Sequence, residues 1–473
     1  MDSQMTGRRR FLQQGSTLAT AFLSLRGIVQ HANAVGSPPP ATTGYGPLLK
    51  DQQKILDLPA GFTHKVISTR GDVMSDGLVV PGKHDGMGTF KGEDDRVVLV
   101  RNHELNPNDS KHSAFGPNFE LRGKVDLAKV YDAGADRKIA GYGGTTTLVY
   151  NPATQTVEKQ FLSLAGTEWN CAGGITPWGS WISCEETNAN AGDKHAKTGG
   201  KYAKDHGFNF EVPARADSGL VTPVPLKAMG RFRHEAIAVD PRTGIIYQTE
   251  DRHDGLIYRY IPRSRTNPAA GGKLQVLRIR QRRGMDTRNW TNSLPPKMPV
   301  AKWLQARWID VDEVESPDDS LRKQGHAKGA ALFARGEGMW YGNGSIYWAC
   351  TNGGPFMRGQ IFRYIPSPHE GTVRELAKPG RVQLYIESHA SSLIENCDNL
   401  TVAPWGDLFI CEDHGGSCAL LRVTAKGEVS TFANNSHSSS ELAGACFSPD
   451  GRTLFVNIQK NGQTLAITGP WKG

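Results

Sequence analysis

A tight turn followed by a strand with a polar end recurs along the chain, and this repeat limits the possible folds more than any other feature. Copies begin at Thr176, Asp240, Ala403 and Ser448 as TPWGSWISCEET, DPRTGIIYQTEDR, APWGDLFICEDH and SPDGRTLFVNIQ. A fifth copy, YGNGSIYWACTNGG from Tyr341, lacks the proline but keeps the other features. Because proline presets φ and glycine tolerates positive φ, each copy predicts a tight turn before a strand of large apolar residues.

A second strand follows several of these copies, with the sequences GLIYRYIP, GQIFRYIP and CALLRVTAKGEV. A strand, a Gly-rich loop and a partner strand form the core of a propeller blade. The chain also has 54 glycines and 27 prolines, which favours many short strands. We therefore predict an all-β fold, a single β-propeller of about six blades with long inter-strand insertions over residues 35–473. Generic hairpins packed in a β-sandwich are the alternative.

Residues 1–34 are predicted to be an export signal. The stretch RRRFL (residues 8–12) precedes a short apolar segment, and HANA ends at Ala34 with an Ala-x-Ala cleavage pattern. This layout is typical of a twin-arginine signal peptide, so we expect a periplasmic or secreted protein. A basic tail beside a chance apolar run is the alternative.

The charge distribution narrows the possible partners. The formal net charge is +8, but the leader contributes four arginines and one aspartate, which leaves about +5 for the remainder. The densest basic run, RIRQRRG (278–284), has no interleaved aromatic residues and predicts a solvated strand or loop, so we expect no nucleic-acid partner. No other segment is apolar for the length of a membrane span, and we expect a soluble monomer after signal removal.

Seven cysteines cannot all pair with one another in an oxidising compartment, so at least one thiol is free or bound to another group. No two of them form a C-x-x-C pair, so the sequence does not indicate a zinc knuckle. Cys411 and Cys418 could bridge a loop, which the sequence leaves open.

Polar and mostly acidic residues end the repeated strands at the same place in several copies. They are Glu185-Glu186, Glu250-Asp251, Asn352 and Glu412-Asp413. In a propeller, equivalent positions converge on one mouth of the central channel, where carboxylates repel one another unless cations lie among them. Rings of such oxygens suit Ca²⁺. The alternative is that each acidic end binds backbone N–H groups of its own turn.

Six longer stretches resemble motifs of a known family: VLVRNHE (98–104), NCAGGITPWGSWISCEE (170–186), GRFRHEAIAVDP (230–241), YQTEDR (247–252), FARGEGMWYGNGSIYWACTNGG (333–354) and CEDHGG (411–416). Together they resemble the PhoX-type alkaline phosphatases, a family of exported propeller enzymes. The resemblance implies a site of Fe³⁺ and Ca²⁺ ions in the central channel, with a thiolate among the iron ligands and an arginine on the phosphate. It also implies that small-molecule phosphate monoesters are the substrates.

The resemblance assigns roles to single residues. Cys171 in NCAGG matches the iron-ligating thiol, and Glu235 and Glu337 match carboxylates of the metal cluster. Arg335 matches the phosphate-binding arginine, so Arg335 and Cys171 are the predicted catalytic residues. Further metal ligands are expected from other blades, namely Glu104, Glu185, Glu250, Glu412 and Asp398.

These roles predict a mechanism for an alkaline phosphatase. A metal-bound oxygen attacks phosphorus while the cations and Arg335 hold the phosphoryl group, because a cation cluster can supply both the nucleophile and the charge stabilisation. His103 and His234 are expected either to support the ligands or to be structural. Two alternatives remain: a calcium-dependent propeller hydrolase of lactones or phosphodiesters, and a non-catalytic, calcium-stabilised binding propeller.

Overall fold

A computed structural model of the protein describes residues 44–135, 141–194, 200–293, 295 and 297–471. The predicted signal peptide, residues 1–34, lies outside these ranges, so its role stays a prediction. Within the described ranges, no helix is both long and apolar enough to cross a membrane.

Strands make up most of the regular structure. In chain order the first thirteen are β1 (Leu48–Leu49), β2 (Leu58–Pro59), β3 (Thr63–Thr69), β4 (His84–Lys91), β5 (Val97–His103), β6 (Gly143–Asn151), β7 (Thr156–Thr167), β8 (Asn170–Ile175), β9 (Ser180–Glu185), β10 (Asn209–Pro213), β11 (His234–Val239), β12 (Ile246–Glu250) and β13 (Ile257–Ser264). The others are β14 (Asn267–Ile279), β15 (Trp303–Asp310), β16 (Gly336–Gly342), β17 (Ser345–Cys350), β18 (Gln360–Ile365), β19 (Arg381–Glu387), β20 (Cys397–Val402), β21 (Leu408–Glu412), β22 (Cys418–Val423), β23 (Val429–Asn435), β24 (Leu442–Phe447), β25 (Thr453–Ile458) and β26 (Gln463–Thr468).

The helical segments are short. They are the α-helix α1 (Leu321–Ala327) and 3₁₀ turns at Pro107–His112, Arg122–Lys124, Leu127–Lys129, Lys227–Met229 and Val373–Leu376.

The strands form antiparallel meanders arranged around one axis. Successive groups are β4 to β7, β8 to β10, β11 to β14, β16 to β19 and β20 to β23, and the last group is β24 to β26 with β3; β15 pairs with both β14 and β19 and so joins two groups in one sheet. The innermost strands β4, β8, β11, β16, β20 and β24 contact one another in that order, and β24 contacts β4. This closed ring confirms the predicted all-β propeller.

The recurrent turns join the first and second strands of the blades. TPWG lies between β8 and β9 and APWG between β20 and β21, and the glycines of these two turns, Gly179 and Gly406, have φ of +86° and +100°. The apolar stretch after each turn is a second strand, and every residue of β9, β12, β17, β21 and β25 is buried. The β4–β5 hairpin was not recognised as a copy because its turn, GEDDR at 92–96, has neither a proline nor a glycine close to the start of the second strand.

All seven cysteines are buried and free, so the bridge between Cys411 and Cys418 that the sequence left open is not formed. Five of these thiols pack in apolar clusters of the blades and act as small apolar side chains, namely Cys184, Cys350, Cys397, Cys411 and Cys446.

The blade that closes the ring takes strands from both ends of the described chain. β3 pairs with β26 along its length, from Thr63 opposite Thr468 to Thr69 opposite Gln463. Leu465 of β26 is fully buried in the apolar cluster that fills this blade. Closure of the ring therefore depends on packing between residues about 400 positions apart in the chain.

We predict that Leu465→Ala lowers the free energy of unfolding of the metal-loaded protein by about 2–5 kcal/mol, because it leaves a cavity beside the closing strand pair. The matched control is Leu49→Ala, whose side chain is 57% exposed, and it should change stability by less than about 0.5 kcal/mol. Urea unfolding followed by tryptophan fluorescence measures both. Equal losses in the two variants would contradict this account of closure.

Candidate active site and metal centre

Each innermost strand carries a β-bulge close to its first residue. The register shifts lie between His84 and Met87, Asn170 and Gly173, His234 and Ile237, Gly336 and Met339, Cys397 and Leu400, and Ala443 and Cys446. A bulge leaves one residue unpaired and re-aims its side chain, and bulges are common beside active sites. The repeat therefore sets one special position in each blade.

In five blades that position holds a thiol or a carboxylate. We call these the bulge residues: Asp85, Cys171, Glu235, Glu337 and Asp398. Four of them were predicted from the family resemblance, and the structure brings them together. Sequence reasoning missed Asp85, which lies before the first recognised motif; its place directly after the first residue of an innermost strand is the signal that identifies it.

Small residues next to the bulges let the innermost strands approach closely. A Cβ at Gly338 would lie 2.6 Å from the Cα of Asn399, and one at Gly86 would lie 2.5 Å from the Cα of Ala172. The void that these residues line has a volume of only about 20 Å³, which is roughly the space for one water molecule. The channel is therefore almost filled below the bulges, and the bulge residues are reached from the other end.

A second set of polar groups comes from the residue directly after the second strand of each blade. These strand-end residues are Glu104, Glu186, Asp251, Thr351, Asp413 and Gln459. The backbone N–H of each donates to the carbonyl of the residue that precedes the innermost strand of the same blade, at N–O distances of 2.9–3.3 Å. The six equivalent hydrogen bonds hold the strand-end residues at one level of the channel.

Bulge and strand-end residues combine into three candidate metal-binding groups. In each group the ligand atoms lie within 4.8 Å of one another: Cys171 with Glu186 and Glu235; Glu235 with Glu337 and Asp398; Asp398 with Asp413 and Glu441. Since adjacent groups share Glu235 and Asp398, the three form one continuous chain of ligands across the channel. Glu441 precedes β24 and was not predicted from the sequence.

Three of the predicted calcium ligands accept hydrogen bonds from backbone N–H groups. Glu185 accepts hydrogen bonds from the N–H groups of Gly207 (2.8 Å) and Phe208, Glu250 from that of Leu256 (3.0 Å), and Glu412 from those of Glu395 and Ala419 (2.9 and 3.0 Å). These carboxylates have the turn-binding role that the sequence analysis held as its alternative. Their assignment as calcium ligands stays a prediction. The residue that follows each of them in the chain lies in the site. Glu186 and Asp413 belong to ligand groups, and Asp251 binds Arg335.

The site carries an excess of negative charge. Nine carboxylates belong to it or adjoin it, against the three cationic side chains of Lys83, Arg233 and Arg335; the nine are Asp85, Glu104, Glu186, Glu235, Asp251, Glu337, Asp398, Asp413 and Glu441. Burial, and then the negative charge of neighbouring carboxylates, raises the pKa of Glu235 and Glu337 well above the usual range. Burial and the same carboxylates raise the pKa of the Cys171 thiol. Multivalent cations are the groups that would neutralise such a site, so the residues fit the metals implied by the sequence.

Arg335 is held between two of these carboxylates. Its Nε and Nη2 donate to the two oxygens of Asp251 at 2.8 and 3.0 Å, and Nη2 lies 2.9 Å from Glu337 Oε1. Burial raises the pKa of Asp251, but the hydrogen bond and charge of Arg335 outweigh burial, and the net pKa is lowered. Among the described residues Nη1 has no hydrogen-bond partner, and 34% of the side chain is exposed. The guanidinium is thus fixed in place with donors left for an anion.

Neighbouring side chains support the ligands. Asn102 of the VLVRNHE stretch donates to the carbonyls of Cys171 and Ala172, and its own oxygen accepts from the Trp181 indole. His103 bonds the Gly82 carbonyl and Thr146, and His234 bonds the Gly230 carbonyl and stacks on Phe232. Both histidines therefore have structural contacts. Arg233, which sequence reasoning missed, forms an ion pair with Glu186.

The chain is similar to a known protein family and to solved structures. The family model for alkaline phosphatase PhoX matches residues 43–462. A structure of Pseudomonas fluorescens PhoX in complex with vanadate, a transition state analogue, is similar with a TM-score of 0.62 at 19% identity, over 92% of this chain and 97% of that one. A gluconolactonase from Xanthomonas campestris aligns with a TM-score of 0.39 at 12% identity, over 91% of this chain and 99% of that one. No curated protein matches the chain.

Removal of metals should make the stability of the protein fall as the pH rises. Burial, and then the charge of Asp413, raises the pKa of Asp398 to about 7, and burial raises that of Glu104 to about 7 although Lys83 opposes the rise. Because the pKa is higher in the folded chain than in the unfolded chain, the folded carboxyl keeps its proton up to about pH 7, where the unfolded one has already lost it. Above that pH the folded chain must hold a buried negative charge. Each group then lowers stability by at most roughly 3 kcal/mol between pH 4.5 and 8.

The measurement is the urea midpoint of chelated and metal-loaded protein at pH 5, 6.5 and 8. For the chelated protein, Asp398→Asn should reduce the change of the urea midpoint with pH. Asp217→Asn, which alters an exposed surface pair, should leave that change as it is. Midpoints that change in parallel with and without metal would contradict the predicted repulsion.

Proposed function

The chain belongs to the PhoX family of alkaline phosphatases, and from this premise we propose that it hydrolyses small-molecule phosphate monoesters at the open end of its propeller channel. The observation that carries the proposal is the position of Arg335, whose guanidinium is fixed by Asp251 and Glu337 at the edge of the carboxylate chain. A planar guanidinium binds two phosphate oxygens at once. An anionic ester would otherwise be repelled by this acidic channel.

Hydrolysis of the phosphate ester also requires cations in the channel. Cys171, Glu186 and Glu235 would hold an iron ion, since a thiolate suits iron and not calcium, and the groups around Glu337, Asp398, Asp413 and Glu441 would hold calcium. When bound, such ions stabilise negative charge on the phosphoryl oxygens and lower the pKa of water. The Cys171 thiol would lose its proton only when the ion is bound, because burial and the nearby carboxylates raise the pKa of the thiol.

The chain's own residues then bind and orient the ester. Nη1 of Arg335 is free to donate to a phosphate oxygen, while Asp251 keeps the guanidinium plane fixed. Fixed donors cost no reorganisation when charge develops in the transition state. The nearly filled channel below the bulges limits entry of bulk water from that side. The opposite end of the channel, where Nη1 of Arg335 lies, stays open and can admit esters of different sizes.

Export by the twin-arginine route and a monomeric state belong to the same proposal. Export would place the enzyme outside the cytoplasm, where it would meet phosphate esters and calcium. Cleavage after Ala34 is part of this proposal, as predicted from the sequence.

We predict that Arg335→Ala lowers kcat/KM for p-nitrophenyl phosphate by about 100-fold or more, because it removes a fixed donor to the phosphoryl group. Arg335→Lys should recover only part of the loss, since a point charge replaces the planar fork. The matched control is Arg215→Ala, which removes a guanidinium that binds Asp217 with the same two-pronged geometry at the surface. A loss in the control as large as in Arg335→Ala, or none in either, would refute the role of Arg335.

Cys171→Ala should lower the iron affinity by at least about tenfold, because loss of even a supporting partner costs a metal site that much. Cys446→Ala is the control, as Cys446 is equally buried but lies in an apolar cluster with Met87 and Phe455. Elemental analysis of the purified proteins gives the iron content, and circular dichroism checks folding. Unchanged iron in folded Cys171→Ala would remove the thiol from the metal centre.

A further inference from the structure

Six residues occupy one equivalent position at the open end of the channel. Each directly precedes an innermost strand, and its carbonyl accepts the hydrogen bond from the strand-end residue of its blade. These mouth residues are Lys83, Trp169, Arg233, Arg335, Asn396 and Glu441. Since Arg335 has the proposed phosphate contact, the other five lie at the level of the channel where the ester would bind.

Four mouth residues have a left-handed backbone although none is glycine. Lys83, Trp169, Arg335 and Asn396 have φ of +43°, +49°, +51° and +50°. This conformation costs roughly 1–2 kcal/mol for a residue with a Cβ, and it is most unusual for a bulky aromatic residue. Strain that recurs at one position and persists in evolved structure tends to mark functional sites.

The strained backbone of Trp169 is tied directly to the metal centre. Its N–H donates to the Leu105 carbonyl in the neighbouring blade at 3.0 Å. Its own carbonyl accepts from the N–H groups of both Cys171 and Glu186, each at 2.9 Å. The backbone that carries the indole is therefore held at a fixed place beside two residues of the first ligand group.

Packing does not account for the indole. None of the apolar clusters formed by the described residues includes Trp169, and the side chain is only partly buried. Lys83 Nζ lies over the ring, 5.4 Å from its centroid, and is itself held by Asp109 at 3.2 Å and Glu104 at 3.8 Å. These contacts hold the Lys83 ammonium group against one face of the indole.

We propose that Trp169 is a specificity-determining residue, on whose indole the ring of a planar aromatic leaving group stacks while Arg335 holds the phosphate. This inference rests on the proposed phosphatase function and deepens it by naming the favoured esters, those of aromatic alcohols. An aromatic pair is attracted beyond simple burial by an amount that corresponds to several-fold to about tenfold in binding. An aliphatic ester such as glycerol phosphate gains little from the same surface.

The test compares kcat/KM for phenyl phosphate and for glycerol 2-phosphate in the metal-loaded wild type and two variants. Trp169→Gly removes the ring but accepts positive φ without strain, so the backbone that holds Cys171 and Glu186 is kept. Trp169→Phe keeps an aromatic face. We expect Trp169→Gly to lower the ratio of phenyl to glycerol ester about tenfold, and Trp169→Phe to keep it within about threefold of the wild type. Metal content, measured on each protein, should be unchanged.

Three results would overturn the inference. An unchanged ratio in Trp169→Gly with full metal content would show that the ring does not contact the leaving group. An equal fall for both esters, with reduced metal content, would make Trp169 a support of the metal centre only. A wild type that hydrolyses neither ester would remove the proposed function and this inference together, whereas a wild type active on both would leave the proposed function standing whatever the variants do.

Discussion

Close approach of the innermost strands around one axis is the constraint on which the rest of the structure depends. Strands packed at this distance have no room for ordinary side chains, so small residues such as Gly86, Ala172 and Gly338 lie where neighbouring strands touch. The bulge beside them turns one side chain per blade toward the open end. The closely packed strands thus fill the channel below the bulges, and the bulges bring thiol and carboxylate groups together above it.

This concentration opposes stability in the absence of metal. Buried carboxylates that face one another hold protons or repel, and Arg335 and Arg233 offset only part of the charge. The propeller can tolerate such a centre because apolar clusters pack neighbouring blades against one another and the ring is closed by β3 and β26. Cations at these groups would offset the repulsion and so would stabilise the fold.

The sequence predicted the architecture well because turns and apolar strands are local signals. Proline and glycine in TPWG and APWG fixed the hairpins, and the fully buried second strands followed from their composition. The site was harder. Side chains alternate along a strand and the bulge changes the count, so the choice between Glu185 and Glu186, or between Glu412 and Asp413, depends on register that no local pattern reveals. Trp169 and Asp85 gave no signal until the six blades could be superimposed by position.

If a metal centre in the channel hydrolyses phosphate monoesters, activity must depend on bound cations. The most direct test is turnover of p-nitrophenyl phosphate at alkaline pH by the exported, purified wild-type protein, before and after treatment with EGTA and again after calcium is restored. We expect activity that is lost on chelation and returns with calcium. Full turnover by folded protein shown to be free of metal would contradict it, and so would no turnover by folded protein shown to contain its metals.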